Sequence, residues 1–121
     1  MDRYLSFGKE HRIRAPHEYK EIISRGSRIA TSRFTLFILT RGDGEKRIGV
    51  SVGKRVGNAA KRNRIKRLVR EAFRTHKNRI SPGTDMVVIV RRISGKEKLS
   101  NVVEELSRGL EKRGKWISCE K

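Results

Sequence analysis

The chain has 121 residues, the length of one domain, and its 35% share of hydrophobic residues is sufficient for a small core. Its 31 lysine and arginine residues outnumber its 13 acidic residues and give a formal net charge of +18, so the expected partner is a polyanion: RNA, DNA or an anionic membrane face. The longest apolar run, residues 86–90, is too short for a transmembrane span or a signal peptide. The single cysteine, Cys119, excludes an internal disulfide framework or a cysteine-cluster zinc site and fits a reducing cytoplasm.

The first predicted element is a helix that begins near Pro16 and ends at Gly26. Proline suits the first turn of a helix, and glycine suits the position after its last turn. Between them, Tyr19, Ile22 and Ile23 fall on one face of the predicted helix.

A strand is predicted next over Phe34–Thr40, which is rich in β-branched and aromatic residues. The sequence Gly42-Asp43-Gly44 after it predicts a turn and a hairpin to the following strand. An additional strand over residues 28–30 is left open.

The following strand, residues 47–53, has two different faces. Ile48, Val50 and Val52 alternate with glycine and serine, so one face belongs to the core. The other face is small, which allows a helix or a ligand backbone to approach closely.

The hydrophobic period then changes to 3.6 over residues 58 to about 77, which predicts a long helix whose apolar stripe is Ile65, Leu68, Val69, Ala72 and Phe73. Ser81-Pro82-Gly83 ends this helix, and Thr84–Val90 is predicted to be a fully buried strand. A last helix has a stripe of Val102, Val103, Leu106 and Leu110. The order α-β-β(-β)-α-β-α predicts a single α+β domain with a mixed sheet packed by helices.

Positive charge is concentrated on the long helix. Residues 54–79 contain eleven basic residues and one acid, Glu71, a net of +10, whereas the three other segments of the chain net +4, +1 and +3. A helical projection places Asn63, Arg67, Arg70 and Arg74 opposite the apolar stripe, Arg64 and Lys66 beside them, and Arg62 near the apolar edge, leaning over the sheet. Aligned cations repel one another, and arginine binds phosphate in bidentate fashion. The helix is therefore predicted to bind nucleic acid rather than to be a solvated face.

Aromatic residues supply a second signal, because they can stack on unpaired bases beside a cationic groove. Tyr19 has a polar hydroxyl and lies near Arg12 and Arg14, so it is the better stacking candidate. Phe37 is a second candidate, with core packing as the alternative, and core packing is the favoured role for Phe34.

The sequence shows no catalytic constellation. His11, His17 and His76 lack the spacing of metal ligands, and no nucleophile elbow, Walker loop or pair of carboxylates is visible. Residues 53–57 place glycine-flanked cations before the long helix, which suits an anion but is a weak signal alone. Cys119 is expected to be inert. The chain by itself has no evident active site.

Two adjoining motifs carry a family resemblance. Residues 47–59, RIGVSVGKRVGNA, form a strand and turn, and residues 62–67, RNRIKR, form the signature that opens the basic helix. Arg12-Ile13-Arg14 before Glu18-Tyr19, and Pro82-Gly83 before Asp85, extend the match to about residues 7–92. In these features the chain resembles the bacterial ribonuclease P protein component.

The resemblance implies a function that the residues alone do not show. In that family the protein binds a large catalytic RNA, and the holoenzyme cleaves precursor tRNA to leave the mature 5′ end. The implied partners are ribonuclease P RNA and precursor tRNA, with no membrane and no obligate protein partner. Catalysis would belong to the RNA and its Mg2+ ions, with no cofactor on the protein.

The resemblance also implies a fold, called ribosomal-protein-S5-domain-2-like. Its parallel strands, here residues 47–53 and 84–90, are joined by a left-handed crossover, opposite to the usual hand. We expect residues 1–121 to form one RNA-binding domain, with flexible ends of about eight residues at the N-terminus and about seven at the C-terminus.

By position, the resemblance implies two RNA-binding surfaces. The surface for the catalytic RNA comprises Arg55, Arg62, Asn63, Arg64, Lys66, Arg67 and Arg70. The cleft for the single-stranded 5′ leader, between the sheet and the first helix, comprises Arg12, Arg14, Tyr19, Ile23, Phe37, Ser51 and Lys54. Ile23 stands where an aromatic residue is frequent in the family and is a departure from its pattern.

Two other classes of protein stay open. A ribosomal protein of similar architecture would share the charge, the size and the small-residue strand, but would lack the signature and would copurify with ribosomal RNA. A helix-turn-helix DNA-binding protein would need a second short helix against its recognition helix. It ranks third, because strands are predicted on both sides of the basic helix.

Overall fold

The computed structural model describes residues 12–13, 15–42 and 44–115, and the predictions for Arg14, His11, Cys119 and the two chain ends lie outside these residues. The elements are α1 (Pro16–Arg25), β1 (Ser27–Ala30), β2 (Phe34–Thr40), β3 (Arg47–Val52), α2 (Ala59–Thr75), β4 (Thr84–Val90) and α3 (Leu99–Lys112). The fold is mixed α+β, with a four-stranded mixed sheet and three helices. The predicted order of elements is confirmed, with β1 as the additional strand.

The sheet has the strand order β1-β2-β4-β3. β2 is antiparallel to β1 and β4, and β3 is parallel to β4. The predicted hairpin between β2 and β3 is therefore wrong, because β4 lies between them, and the hairpin is formed by β1 and β2. Gly42 and Gly44 have positive φ, and the chain reverses its direction there. Among the described residues this turn is hydrogen-bonded to Gly83, the residue immediately before β4, and not to a partner strand of its own. The Arg41 N–H donates to the Gly83 carbonyl (2.9 Å), and the Gly83 N–H donates to the Gly44 carbonyl (3.0 Å).

The two faces of the sheet are covered by different helices. The larger core packs α2 and α3 against one face, where Leu36, Ile48 and Met86 point. A smaller core on the opposite face packs Ile22 of α1 against Phe37 and Val87. β4 contributes to both cores, as expected for the predicted buried strand.

The first helix begins at Pro16 and is followed by Gly26, as predicted. Gly26 has extended backbone, and its value is close packing: a β-carbon there would lie 2.5 Å from the Ile22 carbonyl oxygen and 3.0 Å from that of Ile38. Ile22 is buried, whereas Ile23 is 38% exposed, so of these two residues only Ile22 is buried against the sheet. One helical step turns the Ile23 side chain away from the sheet.

An ion-pair network fastens α1 to the sheet. Arg47 of β3 donates two hydrogen bonds to the buried Asp85 of β4, at 3.0 and 2.9 Å, and a third to Glu18 of α1 at 2.9 Å. Arg41 also pairs with Asp85 at 2.7 Å. The hydrogen bond from Arg47 holds the pKa of the Glu18 carboxyl below its usual range. Through Arg47, these contacts link α1 to β3 and β4.

The long helix α2 has the predicted apolar stripe. Ile65, Val69, Ala72 and Phe73 are buried, and Leu68 packs at the edge of the core. The Asn58 side chain caps the first turn by accepting from the Lys61 N–H at 2.9 Å, and the helix ends at Thr75, slightly before the predicted end. The left-handed crossover from β3 through α2 to β4 stays an expectation from the resemblance.

Candidate nucleic-acid interface

A groove of about 540 Å3 lies between α2 and the segment that precedes α1. Arg12 and Ile13 run beside β3, where the Ile13 N–H donates to the Ile48 carbonyl at 3.0 Å. The groove is lined by Arg12, Arg64, Arg67, Leu68, Arg70, Glu71 and Arg74. Five guanidinium groups from two segments therefore border one open space, an arrangement that suits a phosphate backbone.

Glu71 is the one acid that lines this groove, and Arg74 engages it. The Arg74 Nε donates to the Glu71 Oε1 at 3.1 Å, and a second nitrogen of the same guanidinium contacts the other carboxylate oxygen. The hydrogen bond from Arg74 lowers the pKa of the Glu71 carboxyl, so this carboxyl stays ionised and paired. The groove's net positive charge therefore comes from its other arginines.

The position of Arg70 differs from the prediction. The helical projection placed it opposite the apolar stripe, but its side chain is half-buried and borders a second cavity of about 250 Å3. This cavity is lined by Arg12, Ile13, Tyr19, Ile48, Gly49, Val50 and Arg70. Burial, and then the nearby charge of Arg12, lower the pKa of Arg70. The projection failed because the strand-like segment at Arg12 flanks α2 on a side that was assumed to be open.

Tyr19 lies across the small face of β3, as the glycine in that strand suggested. A β-carbon at Gly49 would lie 2.6 Å from the Tyr19 Oη, and this hydroxyl donates a long hydrogen bond of 3.5 Å to the Val50 carbonyl. Burial raises the pKa of the Tyr19 phenol. Its ring is half-buried and is placed beside Arg70 and Arg12, so Tyr19 is an aromatic group at a cationic site.

The other residues predicted for the cleft have different environments. Phe37 is only 8% exposed and packs with Ile22 and Val87, so it forms the floor under α1 rather than an open stacking face. Phe34 is fully buried, as predicted. Ile23 presents an exposed apolar surface on α1.

Residues at the end of β3 and the start of α2 complete the predicted set. Ser51, Lys54 and Arg55 are exposed. Arg62 is half-buried, but its Nε donates to the Gly57 carbonyl at 3.0 Å, so it folds back over the turn before α2 instead of over the sheet.

On the remaining part of α2, Asn63 and Arg67 are exposed and Arg64 and Lys66 are half-buried. Lys61, which was not among the predicted site residues, lies one position before the signature. Its side chain lies beside Gly57, in the turn before α2, and Gly95, in the loop between β4 and α3. The sequence offered no signal for Lys61 beyond its charge.

Over residues 12–13, 15–42 and 44–115, no group of three or more histidine, cysteine, aspartate or glutamate side chains could hold a metal ion. In the same residues no helix is long and apolar enough to cross a membrane. α2 follows one strand and precedes another, so the helix-turn-helix alternative is wrong.

The fold and the arginine-lined groove define a basic α+β protein that binds nucleic acid. Sequence comparison gives the family: the profile of the family described as Ribonuclease P matches residues 7–114. The chain belongs to this family of ribonuclease P protein components.

Named relatives and solved structures agree with this assignment. The chain is 38% identical over 116 residues to the ribonuclease P protein component of Syntrophus aciditrophicus, which covers 96% of this chain and 98% of that protein. It is 38% identical over 107 residues to that of Geobacillus kaustophilus, covering 88% of each. The RNase P protein of Staphylococcus aureus superposes with a TM-score of 0.75 at 30% identity, covering 88% of this chain and 97% of that one. The RNase P protein of Thermotoga maritima superposes with a TM-score of 0.73 at 30% identity, covering 84% of this chain and 96% of that one. These similarities favour ribonuclease P over the ribosomal alternative.

Proposed function

We propose that this chain is the protein subunit of a ribonuclease P that binds the catalytic RNA through the α2 groove and the 5′ leader of precursor tRNA on the α1 face. The observation that carries the proposal is the groove itself. Arg64, Arg67 and Arg70 face a space whose lining contains one carboxylate, and that carboxylate is paired with Arg74.

The RNA-binding part rests on the cost of assembling these cations. Like charges at helical spacing repel one another, and an RNA backbone removes this repulsion while releasing counterions. The RNase P RNA surface then comprises Arg55, Arg62, Asn63, Arg64, Lys66, Arg67 and Arg70. Arg70 also borders the cavity at Tyr19, so it lies where the two RNA-binding surfaces meet.

The leader-binding part rests on the surroundings of Tyr19. Its ring lies over Gly49, with Arg12 and Arg70 beside it and the exposed Ser51 further along the same strand. An aromatic ring flanked by cations is the arrangement that binds single-stranded nucleic acid, because it combines stacking with phosphate contacts. Lys54 and the apolar surface of Ile23 extend this cleft, and Phe37 supports it from below.

The chemistry of cleavage is assigned to the RNA and its Mg2+ ions, in the cytoplasm. The protein contributes cations that screen the repulsion between the catalytic RNA and precursor tRNA. This lowers the magnesium concentration that the reaction needs, because protein charges replace part of the counterion atmosphere.

The test is a cleavage assay on precursor tRNA at millimolar magnesium with RNase P RNA alone, protein alone and both together. We expect cleavage only with both components. Cleavage by purified protein without RNA would overturn the assignment of the catalytic centre. Sequencing the RNA that copurifies with the protein provides a second test, since an excess of ribosomal RNA over RNase P RNA would favour the ribosomal alternative.

A further inference from the structure

Lys61, in the first turn of α2, has its side chain seated between two glycines. A β-carbon at Gly95, in the loop between β4 and α3, would lie 3.0 Å from the Lys61 Cε. A β-carbon at Gly57, in the turn before α2, would lie 3.4 Å from the Lys61 Cβ. The aliphatic part of Lys61 therefore lies in a slot, which we call the glycine slot, whose walls are the backbones at Gly57 and Gly95.

The glycine slot is held in place from both sides. Gly95 has a φ of +93°, which residues with a β-carbon rarely adopt. Its loop is fixed by Glu97, which is 3% exposed and accepts hydrogen bonds from the N–H groups of Ser94 at 2.6 Å and Gly95 at 3.1 Å. On the helix side, the Lys61 N–H is held by Asn58, the N-terminal cap of α2.

The charge of Lys61 is available to a ligand. Among the described residues no carboxylate forms an ion pair with it, and the residue is exposed. The acid nearest along the slot's loop, Glu97, is occupied by its own loop and by Arg33. A lysine usually loses much side-chain entropy on binding, but here contact with the glycine slot has already restricted the chain.

We infer that Lys61 is a further contact to the phosphate backbone of RNase P RNA, and that residues 94–97 position it. The inference rests on the proposed function, because Lys61 immediately precedes the signature residues of α2. It adds the loop between β4 and α3 to the RNA interface as a support that touches the lysine chain rather than the RNA.

The charge is tested with Lys61→Met, which keeps an unbranched chain in the glycine slot and removes the ammonium group. One lost phosphate contact should reduce the slope of log K against log salt for RNase P RNA by roughly 0.7 to 0.9, which is about fivefold in affinity near physiological salt. Lys112→Met, at the exposed end of α3, removes the same charge elsewhere and should leave the slope unchanged. An unchanged slope for Lys61→Met would overturn the inference.

Arg67→Ala distinguishes failure of the inference from failure of the proposed function. If Arg67→Ala lowers the slope and Lys61→Met does not, only the contact at Lys61 is refuted. If neither variant changes the slope, the binding of RNA by α2 is refuted as well.

Positioning is tested without changing any charge by Gly95→Ala, whose new β-carbon would displace the Lys61 chain. Gly42→Ala, at a φ of +109° with nothing within 4 Å of its β-carbon, introduces similar backbone strain and is the matched control. We expect Gly95→Ala to weaken RNA binding and Gly42→Ala to leave it unchanged. The double variant Lys61→Met with Gly95→Ala should bind RNA as weakly as Lys61→Met alone, because both changes act through the same contact. Equal binding by the two glycine variants would refute the positioning role.

Thermal unfolding of each variant shows whether it is folded. If Gly95→Ala does not fold, Gly57→Val repeats the test in an extended backbone that any residue adopts, since its β-carbon would contact the Lys61 Cβ at 3.4 Å and its methyl groups would crowd the lysine chain. Unchanged RNA binding by a folded Gly57→Val would then refute the positioning role.

Discussion

The hydroxyl of Tyr19 occupies the space in which any residue other than glycine at position 49 would place its β-carbon. That carbon would lie 2.6 Å from the Tyr19 Oη and 2.7 Å from its Cζ, closer than real contacts allow. Tyr19, the aromatic candidate of the leader cleft, can therefore lie over β3 because Gly49 has no side chain.

Gly49→Ala should displace the Tyr19 ring without changing any charge. We expect a loss of stability of about 1 to 3 kcal/mol from overpacking, and weaker binding of precursor tRNA by the holoenzyme. Gly53→Ala is the matched control, because its β-carbon would have nothing within 4 Å. Urea unfolding and precursor tRNA binding are measured for both variants. Equal tRNA binding by the two would show that the position of the Tyr19 ring over Gly49 does not affect binding of precursor tRNA.

Tyr19→Ala and Arg67→Ala should affect different steps. Loss of one stacked base costs about 1 to 3 kcal/mol, or roughly five- to 150-fold in affinity, so Tyr19→Ala should weaken the binding of precursor tRNA. Mature tRNA has no leader and should bind nearly as before. Arg67→Ala should weaken assembly with RNase P RNA and affect both tRNAs together. The measurement is tRNA binding to holoenzyme assembled at saturating protein, and equal losses with folded Tyr19→Ala would return Tyr19 to a packing role.

The apolar stripe of α2 could be predicted from the sequence because the apolar residues on the buried face of a helix recur with a period of 3.6 residues. The pairing of β2 and β3 could not, because Gly42 and Gly44 specify a chain reversal and say nothing about which strand lies alongside. The pairing depends on β4, more than 40 residues further along the chain than the start of β2, whose apolar residues on both faces take the centre of the sheet.

The candidate site likewise has features that could be predicted from the sequence and features that could not. The basic face of α2 was visible in the sequence, since charge is a property of single residues. The half-buried position of Arg70 and the pairing of Arg74 with Glu71 depend on what lies beside the helix. The seat of Lys61 depends on the backbone of a distant loop, which no helical projection includes.

Asp85→Asn should be strongly destabilising. The buried carboxylate receives two hydrogen bonds from Arg47 and an ion pair from Arg41, and the amide would remove this counter-charge from both guanidinium groups and leave Arg47 with Glu18 alone. Breaking a buried pair costs about 3 to 5 kcal/mol. Glu21→Gln, which removes an exposed pair with Arg25, should cost about 0.5 kcal/mol or less. Urea unfolding measures both, and similar losses would contradict a structural role for Asp85.

Acid should weaken the fold partly through Glu97. Burial opposes ionisation of this carboxyl, but hydrogen bonds from Ser94, Gly95 and its own backbone outweigh it, so its pKa lies below the usual 4.5. The folded state then binds fewer protons than the unfolded state. The contribution is present above the unfolded pKa and is lost as the pH falls through the lower folded value.

Glu97→Gln should therefore reduce the free energy of unfolding at neutral pH and make its decline between about pH 5 and pH 3 shallower. Glu104→Gln, which removes one carboxylate from an exposed pair with Arg108, is the control for the loss of a negative charge. Urea unfolding across this range measures both, and a Glu97→Gln profile parallel to the parent's would refute the assignment.

The position of β4 between β2 and β3 also sets the order of events during synthesis. α2, with its arginines, emerges from the ribosome before the strand that joins the two halves of the sheet. Until residue 90 has emerged, β2 and β3 have no common partner, and pairing at long sequence separation is slow. The incomplete nascent chain is therefore a cationic segment without a completed sheet, and its most basic helix is open to polyanions before the fold that holds it exists.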